Sequence, residues 1–88
     1  MVSYAATVVL MQARQVAMQF GRVLREARIA RGLSQEELAL ACDIDRTYVS
    51  LLERGRRQPT VLMLFRLSEP LGIRPSSLVA QVERANRT

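Results

Sequence analysis

Between Ser34 and Leu52 the sequence leaves room for little other than two short helices packed on each other. Ser34-Gln35-Glu36-Glu37 is an S-x-x-E capping box, in which the serine hydroxyl takes the Glu37 amide and the Glu37 carboxylate reaches back to the Ser34 amide. A helix therefore starts at Gln35, with Leu38, Ala41 and Cys42 as its apolar face. Asp43 and Ile44 allow only a tight turn before Asp45, which can N-cap a second helix opening at Arg46. Counted from Gln35, the residues Leu38, Cys42, Ile44, Val49 and Leu52 supply five apolar positions that bury the two helices against each other. Ala39 is the small residue that permits their close crossing.

The remainder of the chain has to cover that pair, and it is helical in period throughout. Phe20, Val23, Leu24, Ala27 and Ala30 form an i, i+3, i+4, i+7 stripe, stopped by Gly32 as the left-handed residue just beyond the helix end. The helix opened by Arg46 turns Val49 and Leu52 inward and ends at Gly55; Thr60 caps a further helix read as burying Val61, Leu64, Phe65, Ser68 and Leu71, closed by Gly72. Pro75 suits the first turn of a last helix carrying Leu78, Val79 and Val82. No apolar alternation of period two runs long enough for a strand, and no repeat is visible, so the expected class is all-α. Residues 1–17 read as an extra N-terminal helix ahead of a domain at 18–88. That extension is apolar nearly all round, with Tyr4, Val8, Met11 and Met18 on one face and Val9, Val16 and Phe20 on another. Such a helix is normally buried, either on its own domain or on a partner.

Composition narrows the chemistry. Eighty-eight residues make one domain with a thin core, which oligomerisation would help. There is no histidine and a single cysteine, Cys42, so zinc clusters, histidine acid–base catalysis and intrachain disulfides are excluded; neither enzyme activity, cofactor nor metal is expected. Cys42 itself reads as a small buried hydrophobe in a reducing, cytoplasmic setting. The run Val8 to Met11 has no basic residue ahead of it and is too short for a signal peptide or a membrane span. All 13 basic residues are arginine, against 8 acids, for a net charge of +5. Arginine's planar fork grips phosphate and the guanine edge, which suits a nucleic-acid partner, although a GC-rich coding sequence would produce the same bias with no functional cause.

The spacing of Gln35 to Leu52 is that of a helix-turn-helix unit. Phe20-Gly-Arg-Val-Leu-Arg-Glu-Ala-Arg-Ile-Ala-Arg-Gly-Leu-Ser-Gln-Glu-Glu-Leu-Ala39, then Arg46-Thr-Tyr-Val-Ser50 and Glu53-Arg-Gly55, resembles the lambda repressor/Cro family over about Phe20 to Val82. The Arg46–Ser50 stretch is similar to that of restriction-modification controller proteins, and stand-alone repressors and antitoxins carry similar stretches. The resemblance implies a five-helix, lambda-repressor-like DNA-binding domain. It implies base contacts from Arg46 (a guanine), Thr47 (including a thymine methyl) and Ser50, and phosphate contacts from Gln35, Arg54, Arg56 and Arg57. Tyr48 is implied to face phosphate with its hydroxyl alone, its ring packing on the scaffold. It also implies that Glu53 pairs with Arg28, and it marks Asp43 as standing where the family usually has a left-handed glycine, so that the turn is slightly strained.

A second apolar stripe, Met63, Leu67 and Pro70, is read as turned away from the core. With Leu78, Val79 and Val82 it is the expected dimer interface. The resulting reading is a homodimeric transcriptional regulator on a roughly palindromic stretch of double-stranded DNA, with half-sites about 34 Å apart. The alternative is an antitoxin or other interaction module that binds a protein partner through the N-terminal arm and uses DNA binding for autoregulation.

Overall fold

A computed structural model describes residues 3–86; residues 1, 2, 87 and 88, at the outer ends of the expected segments 1–17 and 18–88, lie outside the described residues. Among the described residues five helices follow one another: α1 (Tyr4–Ala30), α2 (Gln35–Cys42), α3 (Arg46–Glu53), α4 (Val61–Leu71) and α5 (Pro75–Asn86). The N-terminal extension is thus not a separate sixth element. It is the first half of α1, which starts at an N-cap on Ser3 and runs unbroken into the stripe Phe20–Ala27. No residue between Tyr4 and Ala30 interrupts a helix that, once nucleated by the packed half, gains a hydrogen bond for every residue added.

The other helix starts are those the sequence announces. Ser34 and Glu37 form the reciprocal capping box, the Asp45 carboxylate accepts the Thr47 amide at 2.7 Å, and the Thr60 hydroxyl accepts the Met63 amide at 3.0 Å. Gly32 is left-handed just past α1, with the Leu33 amide returning to the Arg28 carbonyl. Asp43 closes α2 in the left-handed region at φ 55°, the one described residue other than glycine to do so, which places the expected strain in the turn.

Phe20, Leu24 and Ala27 of α1 meet Leu38, Ala39 and Cys42 of α2, Val49 and Leu52 of α3, and Met63, Leu67 and Leu71 of α4 in one core. α5 runs back along α1: Arg31 lies beside Gly72, just ahead of α5, and at the other end Gln19 donates its amide to the Ala85 carbonyl at 3.3 Å. Leu78 is its fully buried anchor. The crossing of α1 over the end of α3 depends on two glycines. A methyl group on Gly21 would stand 2.5 Å from the Glu53 carbonyl oxygen, and one on Gly55, which is also left-handed, would stand 2.9 Å from the Met18 Cα.

The seating of α4 differs in part from the sequence reading: Ser68 and Leu71 are buried and Leu64 is half-buried as expected, but the rest of the stripe is not. Met63 and Leu67 are buried, whereas Val61 and Phe65 are 70% and 62% exposed. Val61-Leu62-Met63-Leu64-Phe65 is apolar on every side, so the start of α4 does not say which way it faces; Arg66 and Glu69, further on, fall on the side of Leu62 and mark it as the wet one, leaving the side of Leu67 and Leu71 for the core. Leu78, also assigned to an interface, is core, while Val79 is exposed and Pro70 and Val82 are half-buried. Ala30 and Ala41 lie outside the core as well. Pro70 has no amide to give the Arg66 carbonyl, and the thiol of Cys42 donates to that oxygen instead at 3.4 Å. Burial pushes the Cys42 thiol pKa up, as suits a small hydrophobe.

Candidate nucleic-acid interface

α3 offers one wet face. At 100° per residue Val49 and Leu52 point into the core, Thr47, Ser50 and Arg54 fall on the opposite side, and Arg46 lies at the edge of that outward face. Arg46 and Thr47, on the first turn, are exposed; Ser50 is half-buried one turn on, and Arg54 follows it, its Nε donating to the Ser50 carbonyl at 3.4 Å. The Tyr48 ring packs against the core cluster. The Asp45 cap matters twice: it satisfies the Thr47 amide, and the accepted hydrogen bond holds its carboxyl below the usual carboxylate range. The Ser34 bonds do the same for Glu37 at the start of α2.

What holds α3 in place is a buried charge centre on its last residue. The Glu53 carboxylate accepts from Arg28 of α1 through both Nε and Nη2, the latter at 2.9 Å, and from the Gln35 amide of α2 at 3.0 Å. Arg28 also donates through Nη1 to the Leu33 carbonyl at 2.9 Å, just before α2 begins. The Glu53 side chain is 2% exposed and that of Arg28 11%, and hydrogen bonding to Glu53 raises the Arg28 pKa still further from the titratable range. The acid that would otherwise repel a polyanion is thereby neutralised, and α1, α2 and α3 are tied at one point. Gln35 is tied there too, a partner that the sequence reading did not give it.

Beyond α3, Arg54, Arg56 and Arg57 are all exposed. They are joined by an arginine that sequence reasoning passed over, Arg14, which lines the same cleft as Arg54 and Arg56. The signal was faint: Arg14 is the first charged residue of the chain, but its neighbours follow only from the continuity of α1. Among the described residues no helix is long and apolar enough to cross a membrane.

Comparison with known proteins agrees with this geometry. The helix-turn-helix family model matches residues 24–78. The control protein C.BamHI of Bacillus amyloliquefaciens is 37% identical over 65 residues, covering 73% of this chain and 80% of its own. The restriction-modification controller protein C.AhdI from Aeromonas hydrophila superposes with a TM-score of 0.68 at 44% identity, over 70% of this chain and 94% of that one. A third protein, the controller protein C.Esp1396I as a tetramer on its natural 35 base-pair operator, superposes at 0.69 with 26% identity, over 78% and 91%. The chain belongs to the lambda repressor/Cro-like helix-turn-helix family and is a DNA-binding transcriptional regulator.

Proposed function

We propose that this regulator reads a two-fold operator as a homodimer and acts as a restriction-modification controller. The observation that carries the reading is the outward face of α3, which presents Arg46, Thr47 and Ser50 from a helix clamped at its far end by Arg28, Glu53 and Gln35. Such a helix enters the major groove with its N-terminal residues against base edges. Arg46 takes guanine through its planar fork, Thr47 offers a hydroxyl and a methyl, and Ser50 lies one turn deeper. Arg54, Arg56 and Arg57 meet phosphate. Gln35 retains a second amide hydrogen and a backbone N–H at the first turn of α2 for another phosphate, and the Tyr48 hydroxyl reaches the backbone from its packed ring.

The second protomer docks on the wet apolar face of α4, where Val61, Leu62 and Phe65 are exposed. A monomer gains nothing by exposing those side chains together. The similarity to C.BamHI and C.AhdI supports the controller assignment over the antitoxin one.

The test separates two arginines. Arg46→Ala should lose about 1–3 kcal/mol on the operator and relax preference at one base pair per half-site. Arg57→Ala should weaken operator and random duplex alike, with base preference retained and a salt slope shallower by about 0.9 for each phosphate left unneutralised. Reversed behaviour of the two variants would mean that α3 docks differently, and equal affinity of the wild type for every duplex would end the operator reading.

A further inference from the structure

The first half of α1 lies outside the matched family segment, 24–78, yet it runs beside the loop that follows α3. Two contacts fix it there: Gly55 closes on the Met18 backbone, and the Gln58 amide donates to the Ala13 carbonyl at 2.7 Å. Arg14, one residue further, therefore stands on a rigid helix against the loop. It lines two adjoining clefts, one shared with Arg56 and Arg57 and the other with Arg54 and Arg56. The residues lining both clefts include no acid. Glu53, the nearest acid in the chain to Arg54 and Arg56, is already taken up by Arg28 and Gln35. Four like charges gathered around clefts without an acidic lining repel one another and attract an anion.

The position of Arg54 names the anion. It shares the outward face of α3 with Thr47 and Ser50, eight residues beyond Arg46. That separation is roughly 12 Å at about 1.5 Å per residue, about the width of the major groove. With Arg46 at the base edges, the far end of α3 lies over the sugar–phosphate backbone at the groove's border.

We propose that Arg14 of the N-terminal extension completes a phosphodiester-binding cleft with Arg54 and Arg56, so that α1 anchors the DNA backbone beside the recognition helix. This rests on the reading of α3 as that helix. The charge-free run of ten residues ahead of Arg14, Tyr4–Ala13, adds nothing to such a site. The extension serves it by carrying one guanidinium past the end of α3.

The experiment uses the full chain, with Arg14→Ala and Arg14→Lys, on a duplex selected from a random pool and on a scrambled duplex, between roughly 50 and 200 mM salt. Arg14→Ala should bind both duplexes about threefold to tenfold more weakly, with a log–log salt slope shallower by about 0.9 and base preference retained. Arg14→Lys should restore the slope, because either cation displaces a counterion. Thermal melting and sedimentation of Arg14→Ala should match the wild type. Wild-type slope and affinity in Arg14→Ala, or a slope change that accompanies loss of the dimer, would overturn the inference. Arg46→Ala is the control: if it loses base preference while Arg14→Ala binds as wild type, the cleft alone is refuted. If Arg46→Ala also binds as wild type, the recognition-helix reading falls and takes the cleft with it.

Discussion

Replacing Glu53 by glutamine exchanges one oxygen for an amide nitrogen at the point where α1, α2 and α3 meet. The carboxylate accepts three hydrogen bonds, two from Arg28 and one from Gln35. A glutamine there keeps one acceptor and turns an NH2 against the remaining Arg28 N–H, donor facing donor, while the guanidinium keeps its charge. Breaking a buried pair in this way costs about 3–5 kcal/mol, and the 11% exposure of Arg28, which gives its charge some access to water, puts the expected loss near the lower figure, about 3 kcal/mol. At about 0.05–0.15 kcal/mol per residue the whole domain holds roughly 4–13 kcal/mol, so this one atom removes a large share of it. The melting temperature should fall by about 12–24 °C, at about 4–8 °C per kcal/mol for a domain of this size. The measurement is a thermal melt by circular dichroism at one fixed protein concentration, since a dimer's melting point moves with concentration. Because the penalty lies in the stranded charge, Arg28→Met with Glu53→Leu should recover most of it. A Glu53→Gln melt within about 4 °C of the wild type would refute the argument, and so would a double variant no more stable than the single one.

The seating of α4 separates two substitutions. Leu67→Ala should cost about 2–5 kcal/mol in urea or thermal unfolding, because Leu67 is fully buried. Phe65→Glu should leave the fold intact and give a monomer by sedimentation; the opposite pattern would reverse the assigned faces. Asp45 has its carboxyl held below the ordinary range by the Thr47 hydrogen bond, so its contribution to stability is present above that range and is lost as pH falls through the depressed value. Melting temperature should therefore drop on acidification below about pH 4. Asp45→Asn, itself a good cap, should be near wild type at neutral pH and show a smaller drop. An acid response unchanged by that substitution would count against the cap as its source.

Local rules made much of this protein legible. The capping box at Ser34 and the caps at Asp45 and Thr60 are decided within four residues of chain, by side chains that satisfy amides no helix can satisfy for itself, and the stop at Gly32 is as local, its left-handed backbone turning amides onto the last carbonyls of α1. The left-handed Asp43 and the Arg28–Glu53 pair were legible through the pattern around Gln35–Leu52 and its resemblance to a known family. The facing of α4 was legible only in part, because its start, Val61–Phe65, is apolar on every side and only Arg66 and Glu69 mark the wet side. Its burial of Met63 and Leu67 comes from where α2 and α5 lie.

The same division runs through the DNA-binding face. Period and cap are enough to start a short helix at Arg46 and to turn Arg46, Thr47 and Ser50 from the core, and both can be read along the chain. That Glu53 holds Gln35, and that Arg14 stands beside Arg54 and Arg56, emerges only once the helices are packed. The Arg14 placement depends on α1 continuing without a break from Tyr4 and crossing the end of α3 at Gly21 and Gly55, where the backbones come too close for a side chain. A crossing of two helices is a property of the surfaces that meet there, and neither segment encodes it alone.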